Sequence, residues 1–547
     1  MSTAAAAAGV PVKRSWLPLG ILGAAQFVMV LDSSVMNVSI SQIVQDLHTT
    51  IQGVQTAITM YTLVMAAFML VGAKLGDMYG RDRISAIGLA VYACGSLTTA
   101  LSPNLGVLLF GWSLVEGIGA VMVIPAIAAL IASNYEGKQR ALAYGVIGGV
   151  AGAAIAAGPL IGGWVTTELS WRYVFAGEVV IVIVVLLFRR RMTPAPPAER
   201  RPKLDVVGAA LSAVGLGLAV FGILMSSTWG WIKPKQPPTI AGHELTPFGF
   251  SLVPFLIFGG LVFIGLFKSW EERRERQGKD VLLQRGLARI PPLGAGLQTL
   301  GMMQLVLLGT FFVLPVYLQV VLGFNAFETG KRLFPMSVSM LIAALAGPRL
   351  AGRFAPKWVC QVGLGAMTLA ALVLMGTIDV KLNGTAFALS LILFGIGAGL
   401  LMSQVGNVIM SSAPPESANE AGGLQGTAQN LGASLGTALI GAILLTSLTS
   451  SFVSRVSENP ALPQDVRTSI ASQAEKGIDI VPVEQVHKAA VDAGLPPDQA
   501  DALATDYGNA QLDGLKRALL GVALLAAAGL YFTRRLPAQP LTPAAPG

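Results

Sequence analysis

Apolar runs of about 20 residues, the length that carries a helix across a bilayer, recur along this chain with short polar or charged segments between them. They begin near Trp16, Val54, Ile84, Leu105, Ala143 and Tyr173, then near Val206 and Phe248, then near Leu293, Leu333, Val359, Thr385, Leu424 and Ala518. The pattern predicts an all-α integral membrane protein of about 14 transmembrane helices. It divides the chain into an N-terminal six-helix bundle over residues 1–192, a cytoplasmic linker with two extra transmembrane helices over 193–290, and a C-terminal six-helix bundle over 291–547. A polar outer loop of about 449–515 interrupts the last bundle. Its prolines at 460, 463, 482, 496 and 497 and two amphipathic stretches predict short surface helices there.

A 12-residue stretch, Gly72-Ala-Lys-Leu-Gly-Asp-Met-Tyr-Gly-Arg-Asp-Arg83, is squeezed between two of these runs as a charged hairpin tip. Gly72, Gly76 and Gly80 repeat every four residues, a spacing that leaves one bare helix face for close backbone contact. Asp77 sits among Lys74, Arg81 and Arg83, a mixture suited to a docking turn at the water boundary. The stretch Gly347-Pro-Arg-Leu-Ala-Gly-Arg-Phe-Ala-Pro356 echoes it 275 residues later. The same offset lays the glycine-rich span Tyr144 to Gly163 over the span that holds Gly422, Gly426, Gly432 and Gly436. Halves related in this way can rock about a site near the midplane.

Composition changes the picture by exclusion. Only 12% of the 547 residues are charged and 53% are hydrophobic, whereas about a quarter is charged in a soluble chain. The formal charge of +8 does not indicate nucleic acid, because the basic residues form short clusters between apolar runs. Two such clusters are Arg189 to Arg191 with Arg200, Arg201 and Lys203, and the run Lys268 to Arg289. Placing the N-terminus inside puts most of the 37 lysines and arginines on the inner segments. The expectation is therefore a multi-pass protein of the cell (cytoplasmic) membrane with both termini cytoplasmic. The Ala-rich start leads into a run too long for a signal peptide, so an uncleaved first span is expected, and the Pro/Ala-rich tail after Arg535 is expected to be unstructured. Cys94 and Cys360 lie inside apolar runs and the three histidines are far apart, so no disulfide framework, metal site or cofactor is expected. The chain has no phosphate-binding G-x-x-x-x-G-K-[ST] segment for ATP.

Candidate chemistry rests on ionisable residues inside spans, each of which costs about 2.5–3.5 kcal/mol on insertion scales. Asp32 lies in the outer half of the first span, where it is either a helix cap or a group for substrate charge and protons. Glu116 falls near the middle of the fourth span, a place that fits a proton carrier as well as a structural hydrogen bond. Glu178 sits about two turns inside the sixth span, six residues from Arg172 and on a different face, so a local ion pair is not assured. Uncharged groups at bilayer depth, Gln298, Gln304, Gln319, Gln404 and Asn407 with Met302, Met303, Phe311, Phe312 and Tyr317, are candidates for a broad amphipathic cavity or for helix packing.

Several of these stretches resemble motifs of the major facilitator superfamily. Gly72, Leu75, Asp77, Gly80 and Arg81 are in register with its G-x-L-a-D-r-x-G-r-k loop, and Gly158, Pro159, Gly162 and Gly163 resemble its antiporter motif g-x-x-x-G-P-x-x-G-G, with Ala154 in the earlier glycine place. Leu31-Asp-Ser-Ser-Val-Met-Asn-Val38 is similar to l-D-x-t-v-v-n-v, and Trp171-Arg-Tyr-Val-Phe175 to W-R-w-i-F. With the span count, the chain resembles the fourteen-helix drug:proton antiporters over nearly its whole length. It departs from them in the fourth span, where R-x-x-x-G-x-G reads Ser113-Leu-Val-Glu116-Gly117-Ile-Gly119. Glu116 takes a usual glutamine place and Glu178 a frequent asparagine place. The resemblance implies a secondary active exporter of amphipathic organic compounds, cations among them, driven by protons. Export of an endogenous lipid, peptide or secondary metabolite fits the same residues. A membrane enzyme on lipid-linked substrates would need polar catalytic clusters at a membrane face, and a sensor without flux is the remaining reading.

Overall fold

In a computed structural model the described residues are 16–135, 137–189, 203–240, 243–351, 353–414, 417–475 and 477–539. The basic residues Arg190, Arg191, Arg200 and Arg201, the first 15 residues, Gly352 and most of the Pro/Ala-rich tail lie outside them.

Each expected span is a helix. The first half comprises α1 (Leu17–Val38), α2 (Ile51–Tyr79), α3 (Arg81–Ala100), α4, α5 (Gly137–Glu168) and α6 (Arg172–Phe188). Helix α4 is built from Leu105–Leu108, a π-helical stretch Leu109–Glu116 and Gly117–Asn134. The extra pair is α7 (Val206–Trp229) and α8 (Val253–Arg276). The second half begins with α9 (Pro291–Val316, continued as the π-helical Tyr317–Val321), α10 (Ala326–Ala351), α11 (Pro356–Thr377), α12 (Gly384–Ser412) and α13 (Ala418–Glu458). Two short helices, α14 (Gln464–Glu475) and α15 (Val483–Asp492), lead to α16 (Pro497–Phe532). Among the described residues, 11 helices are long and apolar enough to cross a membrane. Helices α3, α6 and α10 occupy the other three expected positions; α6 has 17 residues and α10 opens on Glu328, Lys331 and Arg332.

Small residues set how these helices meet. At Gly72 of α2 a Cβ would overlap the Val121 carbonyl of α4, and at Gly436 of α13 it would overlap the Leu305 carbonyl of α9, so the backbones touch. The halves join through two pairings, α2 on α13 and α5 on α10. These are second helix on fifth and fifth on second, the exchange that two copies related by a twofold axis produce. Gln55 Nε2 donates to the Thr437 carbonyl at 2.9 Å and Ser434 Oγ to the Thr59 carbonyl at 3.0 Å along the first pairing. Helix α7 packs on α8, α13 and α2.

Two expected boundaries shift. Residues 72–79 of the charged stretch are helical, and the chain reverses at Gly80 alone, whose φ of +93° suits glycine. The long polar loop is shorter than 449–515, because α13 stays helical to Glu458 and α16 begins at Pro497. Arg455 and Asp513 pair at 2.8 Å and Phe452 meets Tyr507 edge-on at 5.4 Å, which holds the two helix extensions together.

Candidate functional site

Helix α1 presents two different faces. On one, Asp32 turns into the first bundle and is fully buried. Trp112 Nε1–H, from the π-helical part of α4, donates to both its carboxylate oxygens at 2.8 and 3.0 Å. The indole is held flat by Tyr61 of α2, with ring centroids 4.7 Å apart and planes 6° from parallel. Asp32 therefore does not cap α1; the cap position is Ser39.

Glu116 closes the π-helical stretch, where the extra residue per turn re-aims side chains. Gly95 of α3 lies against its backbone: a Cβ there would sit 2.5 Å from the Glu116 nitrogen. Glu178 of α6 accepts from Tyr92 Oη at 3.2 Å and Ser96 Oγ at 3.0 Å, both on α3. One carboxylate oxygen from each of Asp32, Glu116 and Glu178 lies within 4.8 Å of the others. All three side chains are buried, and among the described residues neither oxygen of Glu116 meets a donor in hydrogen-bond geometry. Arg172 is no counter-ion for Glu178, since it donates to the Ala100 and Ser102 carbonyls. Among the described residues no lysine or arginine pairs with any of the three acids. Three buried carboxyl groups this close cannot readily all be charged at once, so they form one electrostatically linked cluster.

The other face of α1 lines a central cavity of about 210 Å³. Gln26, Met29, Val30, Ser33 and Asn37 of α1 face Thr62, Met65 and Met69 of α2, Gln304, Leu307 and Phe311 of α9, and Gln429 and Asn430 of α13. Among the described residues no ionisable side chain lines it, and Asp32 stays on the opposite side of its helix. Of the polar and aromatic residues expected at bilayer depth, Gln304 and Phe311 reach the cavity. Gln319 instead joins the halves by donating to the Val38 carbonyl at 2.7 Å and accepting from Ser41 N–H. Gln404 donates to the Gly347 carbonyl, and Tyr317 Oη to that of Asp379. Sequence reasoning missed Trp112, Tyr61, Tyr92 and Ser96. The repeat of Gln26, Met29, Val30, Ser33 and Asn37 at helical spacing was the available signal for the cavity face.

The glycines of the fifth span fit two neighbours. Gly158 and Gly162 of α5 lie against Ser34 and Val35 of α1, and Gly163 against the Ala326 backbone of α10. Gly330 of α10 in turn admits the carbonyl of Pro159. At the opposite end, Asp77 accepts from Arg81 at 2.9 Å. Lys74 Nζ donates to the Val281 carbonyl at 3.1 Å and approaches Glu420 of α13 to 3.8 Å. Arg83 is exposed.

The sequence profile of the Major Facilitator Superfamily matches residues 22–437. The tetracenomycin C resistance and export protein of Streptomyces glaucescens is 28% identical over 95% of this chain and 92% of its own. The probable actinorhodin transporter of Streptomyces coelicolor is 29% identical over 85% and 78%. A solved bacterial homolog of the human lysosomal transporter Spinster, inward-facing and occupied, superposes with a TM-score of 0.61 at 14% identity, covering 96% of this chain and 97% of that one, which speaks for the fold alone. With paired bundles around a central cavity and a profile match over most of its length, this multi-pass membrane chain is a transporter of the Major Facilitator Superfamily.

Proposed function

We propose that the protein exports amphipathic, antibiotic-like organic compounds in exchange for protons across the cell membrane, with both termini in the cytoplasm. The observation that carries this reading is the shared helix: α1 places Asp32, clustered with Glu116 of α4 and Glu178 of α6, on one side and lines the cavity with the other. A proton taken up by the acid cluster changes the charge behind α1, and substrate changes the packing in front of it. Each ligand then alters the affinity for the other by the same factor. The cavity's amides, hydroxyls, methionines and Phe311 suit neutral, polarisable ring systems. Asp32 acts on substrate charge only across its helix. Ligand pockets are commonly about 300–1,000 Å³, so a polycyclic compound requires the bundles to part beyond the present 210 Å³.

The turn at Gly72 to Arg83 and the glycines at 158, 162 and 163 act in this reading as the two ends of the rocking interface. The names of two relatives, which mention resistance to and export of tetracenomycin C and transport of actinorhodin, also support export of such a compound through the same site, and an endogenous metabolite is the second reading. Proteoliposomes with a pH-reporting dye inside test the coupling. Adding tetracenomycin C or ethidium under a pH gradient is expected to start a proton flux that empty liposomes lack. Compound movement with no proton flux overturns the coupling, and binding without either flux makes the protein a sensor.

A further inference from the structure

Where α10 and α12 begin, at the end of the bundle away from the chain's start, a separate hollow of about 450 Å³ opens between them. Its walls are Phe324, Pro335, Leu382 and Phe387, and its charged residues are Lys331 and Arg332. The two cations are held by rings and not by acids: Arg332 lies 3.5 Å from the Phe324 centroid and Lys331 4.4 Å from that of Phe327. Ring faces fix such groups without cancelling their charge. Glu328, the acid on the same turn, is engaged elsewhere, its carboxylate accepting from the Asn325 N–H at 3.2 Å while Asn325 Oδ1 accepts from the Glu328 N–H. Neither cation forms an ion pair among the described residues. Below the hollow, large apolar side chains stand exposed along both helices: Phe334 and Ile342 on α10, Leu389 and Ile392 on α12. Their spacings of eight and three residues keep each pair on one helix face.

We propose that this hollow is a binding site for an anionic phospholipid, its phosphate on Lys331 and Arg332 and its acyl chains along the exposed stripes of α10 and α12. The charge complements a phosphate, the site stands at the ends of two spanning helices, and exposed apolar side chains follow further along both of them.

The full-length protein in a neutral detergent provides the test, read as thermal unfolding against added dioleoyl phosphatidylglycerol. Saturable stabilisation is expected, exceeding that by phosphatidylcholine. In the Lys331→Gln/Arg332→Gln variant the half-saturating lipid concentration should rise by about tenfold or more, while Lys331→Arg/Arg332→Lys retains the wild-type response. An unchanged response in the glutamine variant overturns the site. Equal stabilisation by phosphatidylcholine overturns the role of charge, and equal stabilisation by inorganic phosphate overturns the role of the acyl chains. Should the double variant not fold, Lys331→Gln alone, at an exposed position, carries the same test with a smaller expected shift, and no shift there overturns the proposal.

Discussion

At the scale of single residues, the acid cluster is explained by what surrounds each carboxylate. Asp32 has a donor aimed at both its oxygens, Glu178 has two hydroxyls, and Glu116 has none. Glu116 is thus the member whose oxygens meet no donor in good geometry among the described residues, and it is our candidate for the coupling proton. Glu116→Gln imitates the permanently protonated form. It should reduce export driven by a pH gradient to the level of empty liposomes, while downhill exchange of labelled substrate continues. If the variant still concentrates substrate, the coupling proton belongs to Asp32 or Glu178. Trp112→Phe removes the donor to an ionised Asp32, and a hydrogen bond to a charged group is worth about 1.5–3 kcal/mol. The pH profile of transport should therefore move to higher pH by about one to two units. A profile that keeps its midpoint would reduce Trp112 to packing. The three acids were legible in the sequence because ionisable groups are rare at bilayer depth. Their convergence was not, since helices α1, α4 and α6 meet only through tertiary packing, and Trp112 and Tyr61 read as ordinary apolar residues until the π-helical stretch brings the indole to Asp32.

Among the elements, the extra pair α7–α8 has a role that its composition hid. Its last turns contain Glu271, which in the sequence is simply part of the charged run Lys268 to Arg289, yet the carboxylate is buried and accepts from the Leu282 and Leu283 N–H groups at 2.8 and 3.0 Å. That contact fixes residues 281–284, and the same segment reaches both halves. Val281 accepts from Lys74 of α2, and Gln284 donates to Glu420 of α13 at 3.1 Å. The linker therefore fastens the two bundles at one end, with α8 as its anchor. Glu271→Ala should free it, raising trypsin cleavage after Lys279 and Arg289 and lowering transport without loss of the folded bundles. Unchanged proteolysis would show that the segment is held by Lys74 and Glu420 alone. Asp77→Asn acts at the same end; losing the carboxylate partner of Arg81 should slow transport severalfold while thermal unfolding stays close to wild type. The helices themselves were legible because long apolar runs have few alternatives in a bilayer. Their ends were less so: the polar residues around Arg455 and Asp513 look like loop until the pair they form is seen.

For the molecule as a whole, the two exchanged pairings, α2 with α13 and α5 with α10, form an interface with a cavity at its centre, and they were foreshadowed by the 275-residue echo of Gly72 at Gly347. The echo survives in the packing, since Gly72 meets α4 at Val121 and Gly347 meets α12 at Ser403, each joining the second helix of its half to the fourth. If transport proceeds by rocking, neither end of this interface can remain shut through a cycle. One end closes where the Gly423 site faces Leu70, the distance from a Cβ there to the Leu70 Cα being 3.8 Å. The other closes where the Phe327 N–H donates to Thr167 Oγ1 at 3.1 Å. Cysteine pairs Leu70→Cys/Gly423→Cys and Thr167→Cys/Phe327→Cys, each in a chain with Cys94 and Cys360 replaced by serine, place thiols near bridging range. Oxidising either pair should stop net transport, and reduction should restore it. The two locked forms should differ in which side reaches the cavity: a thiol at Ser33 should react with an impermeant reagent from outside only when the Leu70–Gly423 end is locked. In the same sealed cells, thiols at Asn383 and Ser472 should react from outside and one at Gln277 should not, as the proposed orientation requires. Normal transport with either lock intact would mean that substrate passes without the bundles parting, and labelling of Gln277 from outside would invert the orientation.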